Sequence, residues 1–297
     1  MDVSIIIINY NTEQLVLNCI NSIYQKTTKL NFEIIVVDND SEQFNLLQND
    51  NRIKFIKSSS NLGFGKANNL AAKYAQGRYL FFLNPDTILL NNAIELLYNF
   101  MESPNSQNVG ICGGNLYNEQ LQPSHSYRIL FPGIIYELFF LTKGFPFKFF
   151  IKEHFNKTGK PLEVAYITGA DLFISKELFN KVKGFDKRFF MYFEETDLCY
   201  TIHQLGYRII NIPQSQIVHL EGKSFKLKRT REKLYYQSRR LFFKKHFSHT
   251  YYYFCNFIYF FNCLTRVILF FIIGKKHLLQ IWGYKLCLFC KLPKLAY

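Results

Sequence analysis

The sequence predicts an α/β protein built on a parallel, doubly wound, Rossmann-like sheet. Elements recur in the order strand, helix, strand, helix, strand as far as Leu83. The runs V-S-I-I-I-I, E-I-I-V-V and Y-L-F-F-L are continuously apolar, the pattern of strands covered on both faces. Polar residues then gather where these runs stop, and ligands of such sheets bind outside the carboxyl ends of the strands.

Residues 3–8 read as the first strand, interrupted by Asn9-Tyr10-Asn11. Thr12 is placed to cap a helix through Lys26, with Leu15, Leu17, Ile20 and Ile23 as its apolar residues. Residues 32–37 form a second strand ending in Asp38-Asn39-Asp40-Ser41, and 53–56 a third. Residues 66–75 read as a helix closed by Gly77. The fourth strand, 79–83, cannot pass Pro85, which has no N–H for a ladder. Farther on, 109–116 and 164–174 read as strands, Gly184-Phe185-Asp186 as a turn, and 194–205 as a helix with an acidic first turn. Residues 208–212 and 216–220 read as late strands. The aromatic stretch 131–151 is too interrupted by Pro and Gly to cross a bilayer.

The strand ends supply the candidate ligand residues: Asn9, Tyr10 and Asn11, then Asp38 and Asn39, Asn61 and Gly63, Asn84 and Asp86. Each alone suits a turn; four clusters on one rim predict a ligand site. Mg²⁺ commonly accepts one or two carboxylates plus phosphate oxygens, so Asp86 is a metal candidate if a nucleoside diphosphate occupies that rim. His219, in the apolar run Q-I-V-H-L, is a core residue unless the fold brings it beside Asp86. Glu194, Glu195 and Asp197 crowd one helical turn. Clustered carboxylates raise at least one pKa, as a general base requires, although acids at a helix N-terminus also complement its dipole. Helical spacing turns Glu195 toward Leu198, Cys199 and Ile202, and Asp197 toward the wetter side.

The net charge of +14 is unevenly placed. Residues 1–220 carry 20 Lys+Arg and 20 Asp+Glu, whereas 221–297 carry 16 Lys+Arg against Glu221 and Glu232. Residues 251–273 are long enough to span a bilayer, but a central Arg266 costs about 2.5–3.5 kcal/mol on insertion scales, and Asn256 and Asn262 add to the objection. A basic, aromatic-rich helix in the membrane interface fits better, with a soluble helical appendage and a true span as the alternatives. No nucleic-acid module is present, and the aliphatic bulk argues against that partner. Seven scattered cysteines suggest reduced, cytosolic thiols, and C-L-F-C at 287–290 reads as a buried helical face. The opening M-D-V-S-I-I-I-I has no basic segment, so no secretory signal is expected.

Several blocks resemble family 2 glycosyltransferases, of the bacterial rhamnosyltransferase-like kind, over roughly residues 3–224. V-S-I-I-I-I-N-Y-N and I-I-V-V-D-N-D-S resemble the opening strands of that family, and N-L-G-F-G-K-A-N-N a loop of the subgroup. L-N-P-D-T resembles the D-x-D metal motif, with Asp86 its one carboxylate, and Y-I-T-G-A-D-L-F-I-S the segment near the acceptor. G-F-D-K-R-F-F-M-Y-F-E-E-T-D-L-C resembles the block carrying the catalytic base, and I-V-H-L-E-G-K-S the His-containing segment after it.

The resemblance implies the GT-A fold: a Rossmann-like, mixed, mainly parallel sheet flanked by helices, here with a basic, aromatic-rich helical C-terminal tail. It implies a catalytic domain over 1–222, and the charge and aromatic content already described make 223–297 a membrane-surface tail. It also implies inverting sugar transfer. Asn9, Tyr10, Asn11, Asp38, Asn39, Asn61, Gly63 and Asn84 would face the donor, and Gly169, Ala170 and Asp171 the acceptor. Asp86 and His219 would hold Mg²⁺ or Mn²⁺. Glu195 stands at the base position, usually Asp, with Glu194 and Asp197 as rivals. The expected partners are a dTDP- or UDP-sugar, a polyprenyl-diphosphate-linked or other glycan, and the cytoplasmic membrane surface, with no nucleic acid. Two rival readings remain: an inactive membrane-associated scaffold, on the strength of N-P-D and E-E, and a sugar nucleotidyltransferase. The latter needs a Gly-rich basic loop after the first strand, where N-Y-N-T-E-Q-L stands.

Overall fold

A computed structural model describes residues 1–142, 154–220 and 228–291. The readings made for 143–151, for 223–227 and for the Glu221 to Ser224 end of the His-containing block lie outside the described residues. The elements begin with β1 (Val3–Asn9), α1 (Glu13–Lys26), β2 (Phe32–Asp38), α2 (Asn45–Gln48), β3 (Lys54–Lys57) and α3 (Phe64–Ala72). Next come β4 (Tyr79–Leu83), β5 (Thr87–Leu89), α4 (Ala93–Glu102), β6 (Val109–Tyr117), β7 (Tyr127–Arg128) and α5 (Ile134–Leu141). They continue with β8 (Leu162–Glu163), β9 (Tyr166–Ile167), β10 (Asp171–Ser175), α6 (Lys176–Lys181), α7 (Glu194–Gln204) and β11 (Arg208–His219). Three helices follow: α8 (Lys228–His246), α9 (His249–Ile272) and α10 (Lys276–Lys291).

The main sheet runs β3-β2-β1-β4-β10-β6-β11-β5, with β8 on β11. Pairs β1–β2, β1–β4, β2–β3 and β6–β11 are parallel. β10 lies antiparallel between β4 and β6, and β5 antiparallel to β11, so the sheet is mixed. Every residue of β1 and β4 is buried, as the unbroken apolar runs require.

Three predicted strands differ in form. The run 164–174 is interrupted at Thr168-Gly169-Ala170, separating β9 from β10. Asn84 N–H donates to the Ala170 carbonyl at 3.0 Å, so this break is pinned to the end of β4. The two late strands are one, β11, whose register with β6 slips between Asn211 and Gln216. Pro213 falls inside that slip and has no N–H to continue the ladder.

The described residues divide into two compact units, 1–129 with 154–220, and 130–142 with 228–291. Residues 130–142, read from sequence within the first domain, therefore go with the C-terminal helices. The cause is local chemistry: Glu137 of α5 pairs with Arg239 of α8 at 2.6 Å, both 3% exposed, and Ile134 N–H donates to the Tyr251 hydroxyl at 3.1 Å.

Candidate active site

Parallel strands deliver their polar ends to one edge of the first unit. Asn9 and Asp38 pair in register as the last residues of β1 and β2. Both are fully buried, and Asn9 Nδ2 donates to Asp38 Oδ1 at 2.8 Å and to Ser41 Oγ at 3.1 Å. Asn9 Oδ1 accepts from the Thr12 N–H and hydroxyl, while Asp38 Oδ2 accepts from Ser41 N–H. These two side chains bind the rim together rather than face the space beyond it.

Beyond the rim is a cavity of about 290 Å³. Tyr10, Asn39, Asn61, Asn84, Asp86, Gly169, Ala170, Glu194, Glu195 and His219 line it, each from the sequence-derived set. Asn11, Gly63, Asp171 and Asp197, like Asn9 and Asp38, are not in its wall. Asn11, at φ +56°, instead accepts Glu42 N–H. The wall also contains Ile8, Thr12, Phe64, Pro85, Thr168, Met191 and Tyr192, which the sequence reading did not select. Most of these adjoin selected residues, and proximity to the motifs was the available signal.

Asp86 and His219 come together through the sheet. β5 pairs with β11 so that Thr87 faces His219, and Leu220 N–H donates to the Asp86 carbonyl at 2.9 Å. His219 Nε2 then lies 3.3 Å from Asp86 Oδ1 and 3.2 Å from Asn84 Nδ2. With the Asn84 amide donating, that nitrogen turns a lone pair toward a carboxylate, an arrangement a cation relieves. Two adjacent donors of an octahedral ion sit about 3 Å apart, so the spacing of this pair is compatible with a divalent cation such as Mg²⁺ or Mn²⁺. Among the described residues no group of three or more His, Cys, Asp or Glu is assembled for a metal.

The acids of α7 are set by unusual backbone. Tyr192 and Phe193 both adopt φ of +69°. Left-handed geometry costs of order 1–3 kcal/mol at each such residue, and the first turn of α7 that follows places Glu194 and Glu195 in the cavity wall. Asp197, expected on the wetter side, is 3% exposed, and its N–H donates to the Phe193 carbonyl at 2.7 Å. Glu195 is partly buried and faces the cavity. Burial pushes its carboxyl up to about 7, against N–H groups of the helix start and the Thr196 hydroxyl, which favour the charged form. Glu194 is 4% exposed, and burial followed by the Glu195 charge raises it well above the carboxylate range. Its Oε2 has no hydrogen-bond partner among the described residues. The wall thus offers one carboxyl pushed up to about 7 beside a second that burial and its neighbour's charge make harder to ionise than an ordinary carboxylate.

The loop opposite α7 explains the N-L-G-F-G-K-A-N-N run. Gly63 has φ +77°, and a Cβ there would lie 2.2 Å from the Phe190 carbonyl, which accepts Phe64 N–H. Asn69 brackets Phe185, donating to its carbonyl at 2.7 Å and accepting its N–H at 2.9 Å. Asp171, placed by sequence near the acceptor, is buried behind the wall, where its Oδ2 accepts Gly114 N–H.

Fold and cavity define a class: a Rossmann-like α/β domain with a carboxylate–imidazole pair and an acidic helix start around one strand-end cavity. The chain belongs to glycosyl transferase family 2, which its residues 4–182 match. It is 29% identical over 222 residues to the low-salt glycan biosynthesis hexosyltransferase Agl10 of Haloferax volcanii, covering 73% of this chain and 66% of that protein. It is 27% identical over 171 residues to the rhamnosyltransferase WbbL of Escherichia coli K12, covering 53% and 60%. The chain thus spans less than two thirds of the length of these curated relatives. The fold is GT-A, like the mannosyltransferase PcManGT from Pyrobaculum calidifontis, solved with GDP-Man and Mn²⁺. That likeness has a TM-score of 0.60 over 97% of this chain and 85% of that one, at 14% identity.

Proposed function

We propose that the chain is an inverting, metal-dependent glycosyltransferase that moves a sugar from a nucleoside diphosphate to a hydroxyl of a glycan. The supporting observation is that Asp86, His219 and Glu195 line one cavity. Asp86 and His219 would hold Mg²⁺ or Mn²⁺ there, with Asn84 beside them. Bound, that ion neutralises charge developing on the leaving diphosphate. Tyr10, Asn39 and Asn61 contact the donor nucleotide, held in place by the buried Asn9–Asp38 pair. Gly169 and Ala170 leave room for the acceptor sugar. Glu195 takes the acceptor hydroxyl proton as that oxygen bonds to the anomeric carbon and the nucleoside diphosphate departs from the opposite face. A carboxyl near 7 suits this role, because it is ionised enough to act and basic enough to accept.

The finer reading is a rhamnosyl-type transfer from a dTDP- or UDP-sugar in surface polysaccharide assembly, with a polyprenyl-diphosphate-linked acceptor. Residues 1–222 carry catalysis, and the basic, apolar remainder holds the enzyme at the inner face of the cell membrane. Similarity to a named rhamnosyltransferase supports the donor class, and the charge of residues 221–297 supports the location. A panel of dTDP- and UDP-sugars with Mn²⁺, read as release of nucleoside diphosphate, tests the reading. An inactive scaffold would give neither metal-dependent nucleotide binding nor donor hydrolysis.

A further inference from the structure

α9 presents one continuous face to solvent. Phe254, Phe257, Phe261, Thr265, Ile268 and Ile272 succeed one another at spacings of three and four. The five apolar residues among them are 38% to 73% exposed. The stripe is about 27 Å long at the helical rise per residue. An exposed apolar surface of this extent marks a site of association.

Arg266, Asn256 and Asn262 of the same helix lie off this face. Arg266 is the one charged residue between Tyr251 and Ile273. Its guanidinium donates to the Phe140 carbonyl and to the Asn262 carbonyl, and lies over the Trp282 ring at 5.2 Å. Asn256 and Asn262 are 8% and 4% exposed, and Asn256 Oδ1 accepts from Arg239 at 2.8 Å. Of the residues that argued against a bilayer, Asn256 and Asn262 are therefore buried in the helical unit and Arg266 is partly buried, with its guanidinium held by groups of that unit. The two helices beside α9 carry the charge: α8 and α10 contain 11 Lys and Arg against Glu232 alone, and of these Arg239 is paired inside the unit with Glu137.

The geometry points to a lipid surface as the occupant: α9 lies in the plane of an anionic bilayer, its Phe254-to-Ile272 face among the upper acyl chains. A spanning α9 would draw α8 and α10, which pack on it, and their lysines and arginines into hydrocarbon. An in-plane helix leaves those cations at headgroup level, where anionic lipid attracts them. This assignment rests on the membrane-surface part of the proposed function and fixes which face makes contact.

Flotation of the full chain with vesicles tests it. The chain floats with equal parts phosphatidylcholine and phosphatidylglycerol, less with phosphatidylcholine alone, and an alkaline carbonate wash releases it. The double substitution Phe257→Glu, Ile268→Glu changes exposed side chains and lowers the bound fraction about tenfold or more, with the circular dichroism spectrum kept. Undiminished flotation of that variant overturns the assignment. Carbonate-resistant wild type makes α9 a span. A wild-type dimer that does not float, and that the variant dissociates, makes the face a contact between copies. Donor hydrolysis without vesicles is measured on both proteins. Its absence removes the transferase reading and leaves the flotation result standing.

Discussion

His219 Nε2 stands 3.3 Å from Asp86 Oδ1, and the antiparallel pairing of β5 with β11 is what holds it there. Neither group alone makes a cation site. Asp86→Ala is expected to abolish the metal dependence of nucleoside diphosphate binding, and His219→Ala to weaken it by about 10–100-fold. Titration calorimetry with and without Mn²⁺ reads both. Unchanged metal dependence in Asp86→Ala takes that carboxylate out of the role.

Glu195→Gln keeps the shape of the proposed base and removes its proton-accepting carboxylate. Turnover is expected to fall by about 10²–10⁴-fold with donor affinity largely intact. In the wild type, the base must lose its proton to work, so kcat rises as pH increases through about 7. A profile without that limb, or turnover retained in the variant, moves the base to another group.

Strands β1, β2 and β4 were legible in sequence because burial on both faces leaves a plain signature, and residues 79–83 were delimited to the residue as β4, whereas the short β5, β7 and β8 leave no such run. The polar rim was legible for the same reason, since each cluster follows an apolar run. Orientation was not. Asn9 and Asp38 stand in the right places but satisfy one another, a consequence of strand register that spacing does not show. Helical spacing puts Asp197 on the wetter side, yet it is 3% exposed, because spacing fixes which residues share a helix face and not what the rest of the chain packs against that face. Glu137 gave a missed signal. A lone acid in an aromatic run needs a distant partner, and Arg239 is that partner.

Buried acids set a pH dependence of stability. Asp171 and Glu194 are raised well above their ordinary values by burial, and Glu195 to about 7. A carboxyl raised on folding binds its proton more tightly in the folded state. Stability is therefore expected to fall as pH rises from about 4.5 toward 7. Glu194→Gln and Asp171→Asn, neutral at every pH, should flatten that slope in thermal melts; a slope unaltered in both would contradict it.

Two glycines separate strain from collision. Gly159 has φ +69° and open space within 4 Å of where a Cβ would stand, while Gly63 has φ +77° and a carbonyl 2.2 Å away. Gly159→Ala should cost about 1–2 kcal/mol, the left-handed penalty alone. Gly63→Ala should cost about 2–4 kcal/mol, because the Phe190 carbonyl must also move. Equal losses in denaturant melts would mean that the close approach carries no weight.

The helical unit encloses an ion pair whose worth depends on how it is removed. Arg239 donates to Glu137 at 2.6 and 3.2 Å and to Asn256 at 2.8 Å, with its guanidinium 4.6 Å from the rings of Phe243 and Tyr259. Arg239→Met strands a buried carboxylate and is expected to cost about 3–5 kcal/mol, and Glu137→Leu strands the guanidinium at similar cost. Together they remove both charges and leave apolar side chains in an aromatic setting, so the double variant should recover most of either loss. Trp282, the one tryptophan, lies in α10 of this unit, and its fluorescence follows this unit through denaturation. Additive losses in the double variant would show that the two charges do not act as a pair.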